Sequence, residues 1–171
     1  IRARMQAVMG DVYASMGLYK EAEPLLKEAL AIRRERLGDV HSRTIYSMNA
    51  LAGLYKKLVR YDEAESLYVE AQEAAKQDAG SDALVFRYNL GLLLMEQGRL
   101  SEAEPLLLDH LKEQRESGEG EDVNTLDAVQ SLGILYYRQG RLKEAEARYR
   151  TVTEKKRGLL GEDAPSTISA K

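Results

Sequence analysis

The stretch Gly17-Leu18-Tyr19-Lys20-Glu21-Ala22-Glu23 is written four times along the chain, and this repetition constrains the fold more than any other feature. It returns as Val59-Arg60-Tyr61-Asp62-Glu63-Ala64-Glu65, as Gly98-Arg99-Leu100-Ser101-Glu102-Ala103-Glu104 and as Gly140-Arg141-Leu142-Lys143-Glu144-Ala145-Glu146. Its Ala positions stand 42, 39 and 42 residues apart. A period of this size means supersecondary units that stack on one another, because one unit cannot bury its apolar face alone.

Each copy reads as a tight turn between two helices. Gly ends the first helix, since it adopts the left-handed conformation without a Cβ penalty. An apolar residue (Tyr19, Tyr61, Leu100, Leu142) plugs the turn. A polar residue then caps the next helix, well in the case of Ser101 and Asp62 and poorly in the case of Lys20 and Lys143. Glu in the first turn suits the positive end of the helix dipole. Val59 replaces Gly in the second copy, so that turn is set by its surroundings rather than by local preference.

The flanks repeat as well. Seven residues before each turn position stands a small residue, Gly10, Ala52, Gly91 or Gly133, preceded by Met9, Leu51, Leu90 or Leu132 and followed three places on by Tyr13, Tyr55, Leu94 or Tyr136. Downstream of each Ala, Leu26, Tyr68, Leu107 and Tyr149 fall at i+4, and Ala29, Ala71, His110 and Val152 at i+7. These spacings mark one face of a helix on each side of the turn. The unit is therefore helix, turn, helix, with small residues where the helices cross. Tyr13, Tyr55, Tyr68, Tyr136 and Tyr149 recur in register and are expected in the core.

This pattern resembles the tetratricopeptide repeat family, whose usual period is about 34 residues. The longer period here, the loop phrases Leu37–Thr44 and Leu160–Thr167, and the Glu-Pro-Leu-Leu runs at Glu23 and Glu104 are similar to the 42-residue subclass found in kinesin light chains. The resemblance implies an all-α, right-handed superhelix of four helix-turn-helix repeats plus the start of a fifth, with a concave face. It implies one array over residues 1–171, with repeats at approximately 1–38, 39–79, 80–118 and 119–161 and a partial fifth at 162–171. The chain then reads as a fragment of a longer array.

Helices are expected from about Arg2 to Met16, Lys20 to Arg36, Ser42 to Leu58, Asp62 to Gln77, Asp82 to Gln97, Ser101 to Glu116, Val123 to Gln139 and Lys143 to Leu159. Pro24 and Pro105 fall near first turns, where a missing N–H costs little, and Pro165 would open a fifth leading helix. Asp122 or Asn124 is a candidate cap. The junction Ala79–Asp82 is three residues shorter than its counterparts, which would tighten the stack there.

Composition excludes several functions. The net charge of −3, from 25 basic and 28 acidic residues, argues against nucleic acid, whose binders need basic excess to neutralise phosphates. No apolar run reaches the ~20 residues of a membrane span, and the opening Ile1-Arg2-Ala3-Arg4 is no secretory signal. There is no cysteine, hence no disulfide or thiolate chemistry, and a cytoplasmic protein is expected. His41 and His110 lack companions at metal-ligand spacing. The two carboxylates of each Glu-Ala-Glu diverge around the helix and cannot work as an acid/base couple. Neither enzyme, metal nor cofactor is expected.

In the resembled family the first helix of each pair lines the concave face. The positions this implies are Arg4 and Asp11 in the first unit, Tyr46, Asn49, Lys56 and Lys57 in the second, Tyr88 and Asn89 in the third, and Gln130, Tyr137 and Arg138 in the fourth. Asn and Gln offer both a donor and an acceptor to a peptide backbone. Tyr offers rigid apolar area with a polar tip. Arg4, Lys56, Lys57 and Arg138 would attract acidic side chains. The paired Asn found in many members is split here between Asn49 and Asn89. The Asn of the family's terminal-carboxylate clamp is replaced by Asp11, Gly53, Leu92 and Ile134. The expected role is an adaptor binding a short, acidic protein segment with an apolar anchor. The alternative is a structural module, self-associating end to end, of a larger regulatory protein.

Overall fold

The structure, a computed structural model, describes residues 1–77, 83–116 and 123–160. Among these residues there are eight α-helices and no strand: α1 Arg2–Ser15, α2 Tyr19–Leu37, α3 Ser42–Lys57, α4 Tyr61–Ala75, α5 Ala83–Glu96, α6 Leu100–Glu116, α7 Val123–Arg138 and α8 Leu142–Leu160. They form the all-α helical-repeat fold that the period predicts. Ala79–Asp82, Asp122 and the expected fifth-repeat start with Pro165 lie outside the described residues. So does the side chain of Asn124, although its backbone belongs to α7.

The turn inside each hairpin is built the same way four times. Gly17, Gly98 and Gly140 take φ of 78°, 79° and 77°, and the residue after each returns its N–H to a carbonyl five positions back, as in Leu18 to Tyr13 at 2.9 Å and Arg141 to Tyr136 at 2.9 Å. This double closure satisfies carbonyls that the helix end would otherwise leave bare. Val59 makes the same bonds, its own N–H to Lys56 at 3.1 Å and that of Arg60 to Tyr55 at 2.9 Å, but does so at φ 61° with a branched side chain.

The trailing helices begin one residue earlier than the polar-cap reading allows. The turn plug is itself the first helical residue, and the residue before it (Leu18, Arg60, Arg99, Arg141) supplies the first carbonyl, as in Ala22 to Leu18 at 3.0 Å and Ala145 to Arg141 at 3.0 Å. Lys20, Asp62, Ser101 and Lys143 are therefore not caps, and neither Leu18 nor Arg60 makes a side-chain capping bond. The turn's backbone bonds set the start in place of a side-chain oxygen. Pro24 and Pro105 consequently sit inside α2 and α6, past the first turn. Leu142 is 61% exposed and plugs nothing.

The chain divides into two compact units, Ile1–Leu93 and Leu94–Lys171, with the boundary inside α5. In the first, α1 packs on α2, α2 on α3 and α3 on α4, around the fully buried Leu26, Ile45, Met48 and Phe86. In the second, α6 packs on α7 and α7 on α8, around Leu107, Val129, Leu132 and Leu135. Ala22, Ala64, Ala103 and Ala145 are all buried at the crossings. The leading helices need smallness too: a Cβ on Gly10 would come within 2.7 Å of the Leu26 side chain, and one on Gly133 within 3.2 Å of the Tyr149 ring.

A charged staple fastens each unit. Arg60 lies 4.2 Å from the centre of the Tyr55 ring, bonds Glu63 through Nε at 2.6 Å and reaches Glu23 of the preceding hairpin at 2.9 Å. In the second unit Arg141 lies 4.2 Å from the Tyr136 ring, bonds Glu144 at 2.7 Å and reaches Glu104 at 2.7 Å. A guanidinium stacked on an aromatic face and forked between two carboxylates uses both its planarity and its charge. Both arginine pKa values are raised, first by the bond to the Glu three residues on and then by the one to the earlier hairpin.

Candidate functional site

The leading helices of the first unit carry the feature that most resembles a recognition surface. Asn49 of α3 and Asn89 of α5 occupy adjacent, non-equivalent positions of successive repeats, three residues ahead of the small residue in one and two ahead in the other. Both side chains are half-buried, and Asn89 Nδ2 donates to Asn49 Oδ1 at 2.8 Å. That bond uses one donor and one acceptor. Among the described residues Asn49 Nδ2 and Asn89 Oδ1 have no hydrogen-bond partner, so a donor and an acceptor stand side by side. Exchanging O and N in both amides reverses the bond and leaves the same pair.

An aromatic step adjoins it on the same two helices. The Tyr46 ring meets Phe86 edge to face, with centroids 6.2 Å apart. Phe86 is fully buried and Tyr46 is 49% exposed, so the phenol stands on a fixed base and shows half its surface. Edge-to-face packing at this separation is favourable for the ring quadrupoles. Tyr88 is half-buried. Lys57 is exposed at the end of α3, and Lys56 is half-buried and engaged with a neighbour.

On α1, Arg4 and Asp11 are exposed. Partial burial pushes the Asp11 carboxyl up, and the nearby Arg33 guanidinium opposes that shift. Arg33 itself comes from α2: its Nη1 donates to the Arg43 carbonyl at 3.0 Å and to Ser47 Oγ at 2.5 Å, tying α2 to the start of α3. His41 caps α3, its Nδ1 accepting from the Arg43 N–H at 3.1 Å. His110 is buried in α6 at the expected packing position.

The remaining positions belong to the second unit. Gln130 Oε1 accepts from Lys156 of α8 at 3.2 Å. Arg138 Nη1 donates to the Met95 carbonyl, which anchors the guanidinium to the end of α5 rather than leaving it wholly available to an acidic partner. Tyr137 is 63% exposed and lies near Tyr149, whose phenol is pushed up by burial and, to a lesser degree, by Tyr137. Of the eleven expected positions, the structure thus joins Asn49 to Asn89 directly and ties Gln130 and Arg138 to other residues.

Phe86 was not among them, although its signal is legible. It is the chain's one phenylalanine and occupies a position held by Met5, Ser47 and Ala128 in the other copies. Among the described residues no cluster of three or more His, Cys, Asp or Glu could hold a metal ion, and no helix is long and apolar enough to cross a membrane.

The model of the tetratricopeptide repeat matches residues 2–77 and again residues 82–157. The chain belongs to the tetratricopeptide repeat family. Repeats of this family generally mediate protein–protein interaction. A curated relative, the mitochondrial tetratricopeptide repeat protein 19 homolog of Drosophila melanogaster, is 32% identical over 97 residues, which is 56% of this chain and 26% of the fly protein. The chain therefore spans about a quarter of that relative's length.

Solved structures share this fold. BtubC (BKLC) from P. vanneervenii matches with a TM-score of 0.84 and 22% identity, over 95% of this chain and 66% of its own. A putative kinesin light chain of Podosopora anserina with nearly identical repeats matches with a TM-score of 0.84 and 24% identity, over 99% of this chain and 82% of its own. A Rap protein complexed with competence and sporulation factor matches with a TM-score of 0.77 and 20% identity, over 90% of this chain and 42% of its own.

Proposed function

We propose that this array is a non-catalytic adaptor and that the face formed by α1, α3 and the part of α5 up to Leu93 binds a short, extended segment of a partner protein. The observation that carries this reading is the Asn49–Asn89 pair, with its adjacent free donor and acceptor. A peptide group presents one N–H and one C=O, and such a pair reads it whatever its side chain. Tyr46 on its Phe86 base provides an apolar wall for an anchor residue, and Arg4 and Lys57 favour acidic neighbours. Gln130, Tyr137 and Arg138 offer the second unit's own contribution. The cytoplasm is the compartment we assign, while the fly relative's name makes mitochondria the comparison for cell fractionation.

The experiment is a peptide-array screen with the intact chain, beside a variant carrying Asn49→Ala, Tyr88→Ala and Asn89→Ala. Capture should fall at least about tenfold, the size of one or two lost hydrogen bonds, with helical circular dichroism unchanged. Equal capture by both chains would refute the reading.

One observation favours a second reading, a stacking module that self-associates. Met5, Met9 and Val12 of α1 and Met16 just after it are exposed, while Ser47, Leu51 and Leu54 of α3, which match the first three, are buried. Sedimentation at two concentrations decides: a concentration-dependent mass supports stacking, and a constant monomer mass rejects it.

A further inference from the structure

A second feature of the first unit lies apart from the asparagine pair. The start of α1, the last turns of α2 and the start of α3 enclose a cleft of about 620 Å³ lined by Arg2, Arg4, Arg33, Arg36 and Arg43. The acidic residue lining it is Glu35. In a chain with more acidic than basic residues, five guanidinium groups against one carboxylate is a concentrated reversal of sign.

The protein neutralises this cluster in part: Asp11 lies near Arg33 and Glu28 near Arg2. Arg2 pairs with Glu28, which leaves Arg4, Arg36 and Arg43 with no ion-pair partner among the described residues. α3 has no acidic residue in its first turn, so the positive end of its dipole adds to the arginines. Arg33 is half-buried, held by Nη1 to the Arg43 backbone and Ser47; the loss of water and then Arg43's like charge disfavour its cation, with Asp11 opposing them. Holding like charges together in a partly desolvated cleft costs free energy that a bound anion would recover. Arginine's planar fork fits a tetrahedral oxyanion bidentately, which a surface scatter of lysines does not.

We propose that this cleft binds a phosphoryl group, with Arg33 as the half-buried donor and Arg36 and Arg43 as the two arms that close on the oxygens. The source is either a phosphorylated side chain of the partner segment, in which case the site rests on the peptide reading above, or free phosphate. An extended polyanion such as RNA is disfavoured by the chain's net negative charge.

The test follows the arginine guanidinium signals of the full chain by NMR while inorganic phosphate is added at low ionic strength. Arg33 and Arg43 should shift in a saturable manner at one equivalent. The double variant Arg36→Ala, Arg43→Ala, both at exposed positions, should weaken binding at least tenfold. Arg150→Ala, on α8, should leave it unchanged. Shifts that never saturate, that chloride reproduces, or that survive the double variant overturn the proposal. Displacement of phosphate by a short RNA with a steep salt dependence does so as well. A phosphorylated peptide binding at least tenfold tighter than inorganic phosphate assigns the source to a partner protein, and equal affinities assign it to free phosphate. Phosphate binding that persists in the Asn49→Ala, Asn89→Ala variant separates this site's fate from that of the peptide face.

Discussion

Arg60 reaches back 37 positions to Glu23 at 2.9 Å, and Arg141 reaches back the same 37 to Glu104 at 2.7 Å. One staple is thus cast twice, joining the trailing helix of one hairpin to the turn of the next. Each uses Glu before Pro, Arg at the turn and Tyr two residues before the end of the leading helix. The arginine is held by its ring contact and two carboxylates together, so a neutral replacement at either carboxylate loosens the fork without emptying it.

These carboxylates set the response to acid. The Glu23 pKa is lowered first by the bond from Lys27 and then by that from Arg60. For Glu104 burial acts upward, and the bonds from Arg141 and Gln139 outweigh it, so its pKa is lowered too. A folded-state pKa below the ordinary value of 4.5 means the stabilisation is present above pH 4.5 and is lost as pH falls through the folded value. Thermal unfolding of the native chain should therefore drop on acidification below that point, and the Glu23→Gln, Glu104→Gln variant should drop less steeply. Parallel acid profiles would contradict this assignment.

Val59 is the cheapest place to stabilise the fold. It holds φ 61° with a β-branched side chain that is 66% exposed, so no packing compensates the strain. Val59→Gly removes a left-handed penalty of roughly 1–2 kcal/mol and gives back part of it through the freer unfolded chain, a net gain of about 0.5–1 kcal/mol. The melting temperature should rise by about 2 °C. A fall would mean that the turn is strained by something other than its φ.

Gly10 should respond in the opposite sense. Its added Cβ would meet both Cγ and Cδ2 of Leu26 at 2.7 Å, and Leu26 is buried on its far side. Gly10→Ala should cost about 1–3 kcal/mol as overpacking, read by chemical denaturation. Ala52 occupies the same position in the next repeat, and Tyr68 the position of Leu26. An unchanged midpoint for Gly10→Ala would show that α1 and α2 shift apart freely.

The fold was legible because the same physical demand recurs four times in the sequence: Gly17, Gly98 and Gly140 for the left-handed turn, Ala22, Ala64, Ala103 and Ala145 for the crossing. The trailing helices start one residue earlier than residue type suggests because backbone bonds to Leu18, Arg60, Arg99 and Arg141 set their starts, and a backbone acceptor leaves no trace in residue type. Position in the repeat pointed to Asn49 and Asn89 singly, but their mutual bond depends on the spacing of α3 and α5. The arginine cleft was invisible for the same reason. Arg2, Arg33 and Arg43 come from three helices and converge only once α1, α2 and α3 are packed.

The most direct test of the peptide reading is calorimetric titration of a peptide selected on the array into the native chain and into the Asn49→Ala, Asn89→Ala variant. The expected result is one site per chain, weakened at least about tenfold in the variant, with both proteins equally helical and equally stable to within about 1 kcal/mol. Undiminished affinity in a folded variant would contradict the claim that this pair reads the partner's backbone.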